Sequence, residues 1–239
     1  MKKLNAFLSV MAINALFTVS AFAQTAAEEV SGQEWLKKQF IDGGWEFMSL
    51  VLICLILGLA ICIERIISLN MATTNPTKLL QKVSDSLDSN DLEGAKEICK
   101  STRGPIASIF YQGLSRVNEG IDVVEKAIEA YGSVQMGRLE RGLVWISLFI
   151  ALAPMLGFMG TVLGMIGAFD AIEAAGDISP SLVAGGIKVA LLTTVFGLVV
   201  AIILQIFYNY LVSKIDGIVN DMEDASISLV DLVARYKNK

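Results

Sequence analysis

Histidine is absent from the 239 residues, and with it go the commonest neutral-pH acid/base, any His-based catalytic triad and any His-ligated zinc. Charge is scarce too: Asp, Glu, Lys and Arg make up 18% of the chain, against about a quarter in an ordinary soluble domain. With 54% hydrophobic residues and a mean hydropathy of +0.60, the chain carries more apolar surface than one water-facing core hides, so lipid is the expected solvent. A net charge of −5 without a basic cluster removes the electrostatic footprint that nucleic acid requires. Cys54, Cys62 and Cys99 are odd in number and lack metal-ligand spacing, so they read as small hydrophobes. Gly94, Gly104, Gly113 and Gly120 fit no phosphate-binding loop. No catalytic residue, metal site or cofactor is expected, and covalent catalysis is the weakest functional reading.

The long apolar runs set the organisation. Residues 1–23 combine Lys2 and Lys3, an apolar stretch from Ala6 to Val19, and Ala21-Phe22-Ala23, the pattern of a cleavable secretory signal; an uncleaved first helix is the rival reading. Residues 24–45 form an amphipathic segment, where Ser31-Gly32-Gln33-Glu34 has the form of a capping box and Gly43-Gly44 a break. Three membrane spans are expected, at 46–67, 142–169 and 181–212. Between them lie a helical domain at 68–141 and a loop at 170–180 bearing Asp170, Glu173 and Asp177, with a tail at 213–239. Ten of the nineteen Lys and Arg fall between Arg65 and Arg141 and four follow the third span, while the 170–180 loop has none. That asymmetry puts the N-terminus in the periplasm, and the helical domain and C-terminus in the cytoplasm. Within the helical domain Asn75-Pro76, Ser89-Asn90-Asp91 and Gly104-Pro105 start helices, and Ile121 onward feeds the second span. The class is therefore all-α, an integral membrane protein of three transmembrane helices with a cytoplasmic helical domain.

Within the second span Gly157, Gly160, Gly164 and Gly167 recur at three- and four-residue intervals, a face that another helix can approach closely. Pro154 interrupts the backbone ladder in mid-span, and together these residues suggest a helix lining a shared interior. Thr161 sits among the glycines, and Thr193-Thr194 occupies the middle of the third span. A membrane threonine commonly satisfies its own preceding carbonyl, but three hydroxyls on two spans also suit a hydrated ion path. Lys188 either snorkels outward or acts as a charge partner; at about 240° round the helix from Thr194 it does not share that stripe. The second and third apolar runs hold no carboxylate, so a chain that moves protons needs a titrating group from a partner.

The segment Ala153-Pro154-Met155-Leu156-Gly157-Phe158-Met159-Gly160-Thr161-Val162-Leu163-Gly164 resembles the motif APLLGLLGTVxG of the ExbB, TolQ and MotA proton-channel family. The stretch from Gly186 to Leu198, GIKVALLTTVFGL, resembles that family's third-span motif. Three spans with a modest cytoplasmic insertion are most similar to ExbB and TolQ, and the signal-bearing extension leans toward ExbB. The resemblance implies a pentameric ring around an ExbD-like single-span subunit whose membrane aspartate enters the pore. It implies, further, that ion flow does work on an outer-membrane receptor through a TonB-like protein. Thr161 and Thr194 match the family's pore threonines; Val189 stands where ExbB proteins typically carry glutamate. Thr193-Thr194 resembles the polar pair of sodium-driven relatives, so Na⁺ stands beside H⁺ as the translocated ion. A TolQ-like or gliding motor, and a non-conducting scaffold whose glycines only assemble a complex, are the remaining readings.

Overall fold

The structure, a computed structural model of the chain, describes residues 32–177 and 179–237. The expected signal segment, its cleavage site and the Ser31 cap lie outside the described residues. The chain divides into two units between Asp42 and Gly43. In the first, the described residues form one helix, α1 (Gly32–Asp42), on which Trp35, Leu36 and Ile41 are exposed.

The second unit is helical throughout its described residues apart from short connections. It comprises α2 (Trp45–Ala72), α3 (Pro76–Asp88), α4 (Leu92–Ser101), α5 (Pro105–Ser115), a 3₁₀ turn at Val117–Glu119, α6 (Ile121–Leu139), α7 (Leu143–Ala175) and α8 (Pro180–Lys237). Side-chain caps explain two of the starts. The Asn75 side chain accepts from the Lys78 N–H at 3.2 Å with Pro76 in the first turn of α3, and Asp91 accepts from the Gly94 N–H at 2.8 Å to cap α4. Asn90, at φ 60°, makes the left-handed turn between them.

Gly142, at φ +92°, separates α6 from α7, a backbone conformation that a side chain would strain. One boundary differs from the sequence reading. At the other end α7 continues past Phe169 to Ala175, because Ala171-Ile172-Glu173-Ala174-Ala175 contains nothing to stop a helix. It ends at Gly176, in the left-handed region, whose N–H reaches the Ile172 and Glu173 carbonyls. Asp170 and Glu173 therefore lie on a helix and not in an irregular loop.

Three of these helices, α2, α7 and α8, contain stretches long and apolar enough to cross a membrane. Contacts between Gly44 and Val189, Gly58 and Leu204, and Asn70 and Lys214 keep an almost constant offset, so α2 and α8 run parallel. Contacts of Gly164 with Ala190, Gly160 with Thr193, and Ala153 with Gly197 run in opposite order, so α7 is antiparallel to α8. Residues 213–237, read from the sequence only as a tail, continue the same helix without a break. Ile218, Met222, Leu229 and Val233 pack there with Leu79, Val83 and Leu87 of α3, and with Phe110 and Leu114 of α5 and Val124 and Ile128 of α6. A single rod of about 87 Å, at 1.5 Å per residue over 58 residues, thus joins span to helical domain.

Cys99 lies in this second core, 2% exposed, and burial pushes its thiol up to about 12. At pH 8 that leaves roughly one thiolate in ten thousand. In a Cys54→Ala, Cys62→Ala background, a maleimide should leave Cys99 unmodified in the folded chain and modify it on unfolding. Labelling of the native chain at the rate of a free thiol would contradict the packing.

Candidate functional site: a threonine pair on a glycine seam

The seam between α7 and α8 is built from small residues on both sides. A Cβ on Gly157 would come within 2.8 Å of the Thr193 carbonyl oxygen, one on Gly160 within 2.8 Å of the Thr193 side chain, and one on Gly164 within 3.1 Å of the Ala190 nitrogen. The third span answers with Gly197, whose Cβ would stand 2.6 Å from the Ala153 carbonyl oxygen, and with Gly186 against Ala168. Sequence reading singled out the glycines of α7 but not Gly186 and Gly197. Their signal was the spacing of small residues at 186, 190, 193 and 197, the same three-and-four repeat. Gly167 does not join the seam: among the described residues, nothing outside its own helix backbone lies within 4 Å of a Cβ placed there.

Backbones this close bring two hydroxyls together. Thr161 and Thr194 are hydrogen-bonded to each other across the seam. Thr161 Oγ1 also lies 3.2 Å from the Gly157 carbonyl and 3.1 Å from that of Ala190, and Thr194 Oγ1 lies 3.3 Å from each of the same two oxygens. Four oxygens from two helices thus form one cluster, with only two hydroxyl protons to fill its contacts. One hydroxyl can turn outward and offer a lone pair to water or a cation while the helix ladders stay intact. Thr193 is separate: it is 1% exposed, and its hydroxyl donates to the Ala190 carbonyl of its own helix at 2.9 Å.

Pro154 lies one turn before Gly157, half-buried within α7, and leaves the Ile150 carbonyl without a residue-154 N–H. Lys188 is exposed on α8, away from the threonine stripe. Neither apolar run supplies a carboxylate to the hydroxyl cluster, and no group of three or more metal-binding side chains occurs among the described residues. The outer surfaces of both helices are apolar, with Met155, Phe158 and Phe169 on α7 and Leu191, Ile202 and Ile206 on α8 all exposed in the single chain. That surface calls for lipid or further protein around it.

Two other features escaped the sequence reading. Gln135 of α6 is buried, and its Nε2 has no hydrogen-bond partner among the described residues, a cost of about 1–3 kcal/mol. Beside α6, a groove of about 600 Å³ has Ile128 and Met222 in its wall, with Glu125, Glu129, Glu223 and Asp231 also lining it. The groove depends on α6 meeting the far end of α8, a pairing that no local pattern announces.

Comparison with known proteins places the two seam helices in a family. The model of the MotA/TolQ/ExbB proton channel family matches residues 101–224, which contain the whole glycine seam and the threonine pair. A putative biopolymer transport protein ExbB homolog of Methanothermobacter thermautotrophicus is 34% identical over 170 residues, covering 70% of this chain and 60% of the relative. The ExbB-like 1 protein of Synechocystis is 31% identical over 182 residues, covering 74% and 71%. The ExbB protein of Neisseria meningitidis is 29% identical over 178 residues, covering 69% and 77%. Matched over more than half its length and through both threonine-bearing helices, this multi-pass membrane chain belongs to the MotA/TolQ/ExbB proton channel family.

Proposed function

We propose that the chain is the ExbB-like, multi-span subunit of an ion-driven motor in a bacterial inner membrane. The observation that carries this reading is the Thr161–Thr194 hydroxyl cluster, held between two spans that bring no acid to it. Hydroxyls hydrate and pass an ion but do not store a proton, so the titrating group comes from a second subunit. That subunit is an ExbD-like single-span protein with a membrane aspartate. Several copies of this chain, five by family resemblance, surround it with the threonine faces inward. The N-terminus is periplasmic, and the helical domain built on α3–α6 and the far half of α8 is cytoplasmic. Proton flow through the shared interior then drives relative motion, which a TonB-like protein transmits to outer-membrane transport.

Sodium is the alternative ion, and the oxygen cluster favours it, because two hydroxyls and two carbonyls are hard ligands of the kind a small cation takes. Thr193, turned into the seam, does not add to that ligand set.

Flux of each ion into liposomes holding the chain, its co-encoded single-span partner and a TonB-like activator tests the proposal. Flux should vanish when the partner's membrane Asp is changed to Asn, and its ion dependence decides between H⁺ and Na⁺. An assembled, activated complex that passes neither ion would leave the scaffold reading in place.

A further inference from the structure

The third span carries two amides that the threonine site does not account for. Gln205 and Asn209 are both exposed in the chain, and Gln205 Nε2 donates to Asn209 Oδ1 at 2.9 Å. Their depth follows from the parallel packing of α2. Gly58 meets Leu204, so Gln205 stands beside the uncharged run 47–63, whereas Lys214 reaches Asn70 beyond its end. One bond engages one N–H and one lone pair, while each amide has two of each. Gln205 therefore turns unused polar valence outward at a depth where hydrocarbon cannot satisfy it, and Asn209, level with Glu64 at the end of the run, is its bonded neighbour toward the water boundary.

The direction is that of the threonines. Gln205 follows Thr194 by eleven residues, three turns and about 20°, and Asn209 by fifteen, about 60°. Leu204, on the buried side, is 0% exposed, and Ile206, on the outer flank, is 65% exposed, so the amides occupy the border that Thr194 occupies higher up. The neighbouring helix repeats the pattern. Ser147 of α7 is exposed and precedes Thr161 by fourteen residues, within about 40° of its stripe. Measured from the Ala153–Gly197 contact, Ser147 lies about 9 Å and Gln205 about 12 Å toward the helical domain, at the same level within a turn.

We infer that Gln205 and Asn209, with Ser147, line the second half of the interior that Thr161 and Thr194 line, and solvate the ion or its water on the way to the helical domain. This rests on the proposed ion-driven assembly. The amides do not titrate, so they set passage and leave the stored proton to the partner's carboxylate.

The test uses the assembled complex in membrane vesicles, with Cys54, Cys62 and Cys99 replaced by Ala and a single cysteine placed at 205, 206 or 209. Only a wet thiol ionises readily, so Gln205→Cys should react with a membrane-impermeant methanethiosulfonate at least about tenfold faster than Ile206→Cys at the same depth, with Asn209→Cys, level with Glu64, as the reference rate at the wet end of the run. Equal rates, or a faster Ile206→Cys, would place the amides against lipid or a neighbouring copy and overturn the inference. In the otherwise native chain, Gln205→Leu should keep the complex assembled and lower ion flux about tenfold. Flux unchanged by Gln205→Leu would remove the amides from the path. Labelling does not depend on conduction, so absence of flux in the unsubstituted complex would count against the motor and not against the position of these residues.

Discussion

Replacing both seam hydroxyls, as Thr161→Val with Thr194→Val, should cut ion flux by at least about a hundredfold while the subunits still assemble. Valine keeps the branched shape of threonine, so the glycine contacts around it survive. What disappears is every hydroxyl in the cluster, leaving only the Gly157 and Ala190 carbonyls. Hydrogen bonds to a charged species are worth about 1.5–3 kcal/mol each, so losing two predicts at least two orders of magnitude. Thr193→Val is the internal control. Its hydroxyl bonds the Ala190 carbonyl of its own helix inside the seam, and its loss should leave flux within about threefold of the native value. Liposome flux measured beside the assembled fraction separates the cases. Normal conduction by the double variant would sink the ion-path reading, and equal loss in Thr193→Val would show that the structure separates the three threonines wrongly.

Glycine substitutions on the seam should act on assembly before conduction. In Gly157→Ala and Gly197→Ala the new Cβ meets a backbone carbonyl oxygen, at 2.8 Å and 2.6 Å respectively, and a carbonyl held in a helix ladder cannot swing aside. The helices must separate, at an overpacking cost of about 1–3 kcal/mol, and Gly157→Leu or Gly160→Leu should abolish the α7–α8 pair altogether. Separation also pulls Thr161 from Thr194, so flux falls with assembly. Gly167→Ala offers the contrast: its Cβ meets nothing within 4 Å among the described residues outside its own helix backbone, and the helix gains up to about 1 kcal/mol of propensity. Thermal melting and size-exclusion profiles of the purified complex check the series. A chain that melts normally with Gly157→Ala would refute the close approach of the two helices. Tolerance of the threonine variants together with intolerance of these glycine variants is the signature of a scaffold.

Composition and periodicity alone dictated the class of this protein. An uncharged run of seventeen residues at 47–63 and two longer apolar runs leave little choice but helices in lipid, because only a helix satisfies its own backbone there. Asn75 and Asp91 announced their helix starts because a cap is a local bond between neighbours in sequence, and Gly104-Pro105 did so because proline at the first helical position fixes its own φ. The glycines of α7 and the three threonines were legible for the same reason, as repeats along one helix. Which hydroxyls meet was not legible. Thr193 and Thr194 are adjacent and chemically identical, and only the rotation of α8 about its axis against α7 turns one into the seam and the other toward Thr161. That rotation, the pairing of α6 with the far end of α8, and the shared stripe of Gln205 with Thr194 depend on how helices distant in sequence dock. Docking is decided by shape across an interface, which the order of residues along either helix does not contain.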